Sequence, residues 1–355
     1  MQQLTDWFRR QFSDPQIVFL ILFLIIGFSI VLTMGNMLMP VLASIVIAYL
    51  LEGLVVLLER RGMGRLMAVI VVFLGFMLFL AALIFGLLPL LSRQVTQLIN
   101  QLPSMISQGQ AALMQLPERY PEVVTTAQIQ DAMGMVRAEI AAFAQKVLSM
   151  SLSSVVGLIT IVVYLILVPL LVFFFLKDKR IIIDWSTGFL PSDRHLATDI
   201  WQDVDRQIAN YVRGKFWEII IIWSASFITF SFLRLEYAML LAVLVGLSVI
   251  IPYIGAAVVT FPVLVIAWFQ WGWGPDFAWL AVAYFVIQAL DGIVLVPLLF
   301  SEVVNLHPVA IIVAILVFGG FWGFWGVFFA IPLATLVQAV LSAWPTQNPS
   351  LAAQE

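Results

Sequence analysis

From Leu235 to Glu355 the chain carries no lysine or arginine, yet its apolar sequence there holds Asp291 and Glu302. A carboxylate at the centre of a bilayer costs roughly 3 kcal/mol or more, so one placed there ordinarily serves a proton, an ion or a solute. Gln288, Asp291, Leu295, Leu298 and Glu302 fall on one face of a helix. Asp291 lies deep in its stretch and could carry a proton or coordinate a cation or a polar solute. The plainer alternative is an interhelical hydrogen-bond partner. Glu302 lies near an end, where a carboxylate can simply reach water, and Asn305 follows it as a further polar candidate. His307-Pro308 opens the next apolar block; imidazole chemistry suits a proton switch, and a helix cap is the simpler role.

Two blocks must position these groups. Residues 237–275 are uncharged and hold Ile251-Pro252-Tyr253-Ile254-Gly255 in their middle. Residues 309–341 hold Gly319-Gly320-Phe321-Trp322-Gly323-Phe324-Trp325-Gly326. Each block is too long for one straight span, and each half is short for a full one. Breaking a helix in lipid frees backbone groups that lipid cannot satisfy. Such breaks persist only inside protein or beside a water-filled cavity. Pro252, Tyr253, Gly255, Gly319, Gly320, Gly323 and Gly326 are therefore candidates for the breaks and a cavity lining. The blocks look related: Gly255 is followed by Pro262, Gly326 by Pro332, and each break follows one ordinary span, 216–233 or 277–300. If both are hairpins, the first enters from outside and the second from inside. That is an inverted repeat, the usual plan of a secondary transporter with a midplane site. The alternative is two kinked single spans.

Composition fixes the class. The chain is 63% hydrophobic and 10% charged, with a mean hydropathy of +1.08. Soluble domains run near ~45–50% and ~25%. An all-α polytopic membrane protein follows. The lack of cysteine excludes disulfides and thiolate chemistry, and two histidines cannot build a histidine-rich metal site. No metal, cofactor or nucleic-acid partner is expected. No phosphate-binding loop or enzyme signature is present, so transport would be passive or driven by an ion gradient.

Uncharged stretches mark spans at 16–34 and 37–58, joined by a turn at Gly35-Asn36, and at 66–91, 152–176, 216–233 and 277–300. With the two broken blocks, about eight membrane segments result. The organisation reads as three transmembrane helices over 1–91, a helical extracytoplasmic arm over 92–151 and a span over 152–176. A cytoplasmic linker over 177–215 follows, with an amphipathic helix near 196–213. The transport core covers 216–341, and 342–355 form a cytoplasmic tail. Arg9/Arg10, Arg60/Arg61/Arg65 and the basic residues from Lys177 to Lys215 fall in alternate loops, which places both termini in the cytoplasm. In the arm, Val95, Leu98, Ile99, Leu102 and Ile106 repeat at helical spacing, as do Ile129, Ala132, Met133, Val136 and Ile140, while Pro117 and Pro121 bracket a turn. In the linker, Trp201, Val204, Ile208 and Tyr211 form a stripe, and Arg213-Gly214-Lys215 is expected to end it at the headgroups.

Five stretches carry a family resemblance. They are Val172-Phe173-Phe174-Phe175-Leu176-Lys177-Asp178-Lys179, Tyr211-Val212-Arg213-Gly214-Lys215, Ile251–Gly255, Leu306-His307-Pro308 and Phe318 through Ile331-Pro332-Leu333. Together they resemble the autoinducer-2 exporter family over nearly the whole chain. Gln288-Ala289-Leu290-Asp291-Gly292 and Leu299–Asn305 narrow it to a permease branch. The resemblance implies a bacterial inner-membrane protein of about eight segments and a homo-oligomer, a pentamer. It implies export of a signalling molecule in some relatives and sodium/proton antiport in others. Two departures stand out: Asp291 replaces a more usual glutamate, and Ser248-Val249 occupy a place where many relatives have an acid. The leading reading is an exporter of a small polar solute; the others are a sodium/proton antiporter and a membrane scaffold without transport.

Overall fold

The computed structural model describes residues 15–115, 117, 125–152, 155–188, 195–252, 254–300 and 307–342. Tyr253, Glu302, Asn305, the Arg9/Arg10 anchor, Pro121 and the tail from 343 lie outside the described residues. All regular structure among the described residues is helical. In chain order the helices are α1 (Pro15–Arg60), α2 (Arg65–Ala82), α3 (Leu88–Leu113), α4 (Thr126–Leu152), α5 (Val155–Lys177), α6 (Lys179–Thr187) and α7 (His195–Phe232). Then come α8 (Ala238–Ser248), α9 (Ile254–Trp271), α10 (Pro275–Leu290), α11 (Val296–Phe300), α12 (Pro308–Trp322) and α13 (Phe324–Ser342). Single π-helical turns, Leu83–Leu87 and Asp291–Leu295, join α2 to α3 and α10 to α11. Each precedes a proline at the second position of the next helix, Pro89 and Pro297. Proline offers no N–H to the carbonyl four residues back and crowds it, and the wider turn relieves that clash.

Three sequence expectations are corrected. Gly35-Asn36 makes no turn: α1 is one uninterrupted helix of 46 residues, about 70 Å long. Glycine inside a helix costs only ~1 kcal/mol, and the apolar residues on both sides continue the helix through it. Likewise the span 66–91 and the first arm helix are one helical rod, Arg65–Leu113. At about 74 Å it is more than twice the ~30 Å hydrocarbon thickness. The linker helix near 196–213 and the span 216–233 are also one helix, α7, with Gly214 inside it rather than at its end.

The chain forms two compact units, the first from 1–73, 167–218 and 292–355, the second from 74–166 and 219–291. In the first unit, α5 meets α6 at a bend of 78°. The bend frees the Leu176 carbonyl, which accepts from Arg65 Nη2 at 2.6 Å. Arg65 also pairs with Glu52 and Glu59, and Lys179 reaches Glu52 at 3.4 Å. One ionic cluster thus ties α1, α2 and the α5–α6 corner together. The core of this unit lies on the α12–α13 hairpin: Ile311, Ala314, Ile315, Phe318, Ala330 and Ile331 pack with Tyr211, Val212 and Phe300. Gly214 allows this approach, because a Cβ there would meet the Phe300 ring at 2.8 Å and the Leu299 carbonyl at 3.2 Å. Beside it, Lys215 and, a turn on, Glu218 are 4% and 2% exposed and pair at 2.7 Å, with the Lys215 ammonium over the Phe300 ring. Nothing in the local sequence marks this buried pair.

In the second unit, α3 and α4 form the arm, packed through Met105, Ile129 and Met133 and joined by Arg137 Nη2 to Gln110 Oε1 at 2.5 Å. Gln94 of α3 accepts from the Leu240 N–H at 2.8 Å, satisfying one of the orphan donors at the start of α8.

Candidate functional site

Both broken blocks reverse direction. Seven residues of helix would separate Ser248 from Gly255 by about 10 Å. Instead, a methyl group added at Gly255 would overlap the Ser248 carbonyl. In the other block, a methyl group at Gly326 would overlap the Phe318 carbonyl, eight residues back. A kinked span cannot bring those atoms together. At the open end of α8–α9, the Glu236 N–H donates to Gln270 Oε1 and Gln270 Nε2 donates to the Arg234 carbonyl, each at 2.8 Å. The entry to α8 and the exit from α9 therefore share one end, as a re-entrant hairpin requires.

The remaining break candidates sort by their surroundings. Pro252 is half-buried in the turn, and its carbonyl accepts from the Ile254 N–H at 2.7 Å. Gly323 is the one-residue turn of α12–α13, at φ +57°. Gly319 faces the Val327 side chain, and Gly320 faces open space.

In the second unit, α10 presents a buried stripe of Leu280, Tyr284, Ile287 and Asp291. From it a directed hydrogen-bond chain crosses to α9. Gln288 Nε2 donates to Tyr284 Oη at 3.0 Å, and Tyr284 lies 3.0 Å from Thr260 Oγ1. Thr260 itself donates to the Ala256 carbonyl at 2.7 Å. Its one proton is thereby used, so the Tyr284 hydroxyl is the donor to Thr260. The order fixes the polarity of the file, which begins at the Gln288 amide, one turn before the buried carboxylate of Asp291. Amide oxygens and carboxylates are the groups that coordinate a cation or accept from the hydroxyls of a polar solute.

Asp291 is buried and opens the π turn, a geometry frequent at functional sites. The π turn also corrects the proposed common face. One inserted residue rotates everything after it by about 100°. Leu298 is accordingly exposed, and Phe300 becomes the buried residue of α11. His307 is exposed and caps α12, its Nδ1 accepting from the Val309 N–H at 3.3 Å. Thr260 and Tyr284 escaped sequence reasoning. The available signal was hydroxyls in otherwise apolar helices, one of them a turn before Gln288.

Described residues whose regular structure is all helical, with long apolar helices, two reversing hairpins and a buried polar file, define a multi-pass membrane protein. Across residues 17–346 the sequence matches the AI-2E family transporter description, and the chain belongs to that family. It is 47% identical to the "Putative permease PerM" of Escherichia coli (strain K12), over 97% of this chain and 98% of that protein. It is 27% identical to the "Putative transport protein YueF" of Bacillus subtilis (strain 168), over 92% and 91%. A "Putative transport protein" of Synechocystis is 24% identical over 88% of this chain and 79% of its own length. This chain is thus a membrane transport protein of the permease kind.

Proposed function

We propose that the protein is a secondary transporter of the bacterial inner membrane that exports a small polar solute. Asp291 and Gln288 form the contact point for the solute. The observation that carries this reading is the directed chain from Gln288 through Tyr284 to Thr260, which starts one turn before a buried carboxylate at a π turn. A scaffold has no use for such a file inside apolar helices. The proposed topology has both termini in the cytoplasm, residues 270–276 outside and residues 301–308 inside, with about eight membrane segments and assembly as a homo-oligomer, a pentamer. Sodium/proton antiport is the second reading, favoured by the buried carboxylate alone.

Counterflow of candidate solutes in proteoliposomes, with and without a pH gradient, separates the two. Asp291→Asn keeps the shape and removes the charge. It should express and assemble normally and lose transport or its pH sensitivity. Asp291→Glu should keep some activity. Normal transport by Asp291→Asn at every pH would reduce Asp291 to a structural role.

A further inference from the structure

The span α5 needs no continuation. Its 23 residues reach about 35 Å, enough for a hydrocarbon core of ~30 Å. Helix α6 is surplus to that crossing, and the 78° bend between them turns it toward the plane of the bilayer. Its first turn is held there. Lys179 reaches Glu52, and Arg65 takes the Leu176 carbonyl that the bend frees.

This short helix has two sides. Ile181, Ile182 and Trp185 fall on one at helical spacing; Lys179, Arg180 and Asp184 fall on the other, with Ile183 among them. The apolar side is the uncovered one, with Ile181 68% and Trp185 67% exposed. At the end of a span, such a side seats an interfacial helix against the boundary of headgroups and acyl chains, with tryptophan at headgroup level.

Charge says which lipid. Around this corner Glu52 and Glu59 are answered by Arg65 and Lys179, and Asp178 by Lys177. Three arginines are left over. Arg180 is exposed and does not pair with Asp184 one turn on. Arg60 and Arg61 are exposed at the end of α1, where the turn at Gly62, φ +92°, leads to Arg65. None of the three enters an ion pair among the described residues.

We propose that α6 lies on the bilayer surface where α5 ends, and that Arg60, Arg61 and Arg180 bind the phosphates of anionic phospholipids there. Guanidinium groups suit this task because their paired donors match phosphate oxygens. The occupant is lipid because the uncovered apolar side and the surplus charge both begin where a membrane span ends.

The cysteine-free chain allows a direct test. Full-length protein with Ile181→Cys or Asp184→Cys takes a nitroxide label and enters nanodiscs of phosphatidylcholine, with or without phosphatidylglycerol. Oxygen, which concentrates in lipid, should relax the label at 181. A water-soluble nickel chelate should relax the label at 184. Phosphatidylglycerol should deepen the protection of position 181 from nickel several-fold, and Arg60→Gln, Arg61→Gln and Arg180→Gln combined should abolish that gain. Unlabelled protein extracted in mild detergent should retain several-fold more phosphatidylglycerol than the combined variant. Nickel access at both positions overturns the proposal, as does the same protection in both lipids or equal lipid retention by the combined variant. Shielding of position 181 from oxygen and nickel alike also overturns it, and would mean that protein, such as a second copy of this chain, covers α6. None of these readouts involves transport, so the Asp291 assay stands as a separate test.

Discussion

The two hairpins share a close glycine approach and differ in what they carry. In α8–α9 and in α12–α13 a glycine lies against a carbonyl of the preceding helix, Gly255 on Ser248 and Gly326 on Phe318. Around α12–α13 the neighbours are apolar, and the hydroxyl that meets its backbone, Tyr211 to the Phe328 carbonyl at 3.1 Å, closes a packed core. Around α8–α9 the neighbours include the Gln288–Tyr284–Thr260 file. A reversal of this kind solves a backbone problem; function depends on the polarity of what faces it. The first unit packs an apolar core beside its hairpin, and the second holds the polar groups on which the proposed function rests.

Substitutions that damage one region and spare the other would break or sharpen this contrast. Lys215→Met beside the apolar hairpin should cost about 3–5 kcal/mol by leaving Glu218 buried without its ammonium. The double change Lys215→Met with Glu218→Leu should recover most of it. Thermal unfolding in detergent reads both; a stable single variant would show that Lys215 is not what holds the Glu218 carboxylate in the core.

Gly255→Ala and Gly326→Ala should each cost about 2–3 kcal/mol, because the obstacle in each case is backbone and cannot swing aside. Gly320→Ala, facing open space, should be tolerated. Heating followed by size-exclusion chromatography measures this. If either alanine variant is as stable as Gly320→Ala, its hairpin is not packed this closely.

Two tyrosines give the subtlest separation. Tyr211→Phe and Tyr284→Phe should each cost about 1 kcal/mol of stability. Only Tyr284→Phe should lower transport, by several-fold, in the proteoliposome assay. Equal transport by both variants would dissolve the functional difference between the hairpins.

The breaks are visible in the sequence because proline and a run of glycines are rare punctuation in apolar helices. What each glycine is for is not visible there. Gly35 reads as a turn and lies inside α1; Gly214 reads as a helix end and instead admits Phe300. A glycine offers either an unusual backbone angle or a close approach, and only the partner helix decides which. Asp291 is legible as a buried charge. The π turn is not, and it moves Leu298 off the shared face. The Tyr284–Thr260 contact joins residues 24 apart on different helices, a pairing that periodicity within one helix cannot reveal.

The central claim is that α8–α9 turns back within the membrane rather than crossing it. Single cysteines at Glu236 and Asp276 flank the hairpin and can be labelled with an impermeant maleimide from either face of sealed vesicles. The account predicts that both positions label from the same side. Labelling from opposite sides would mean that the segment crosses the bilayer, and would contradict it.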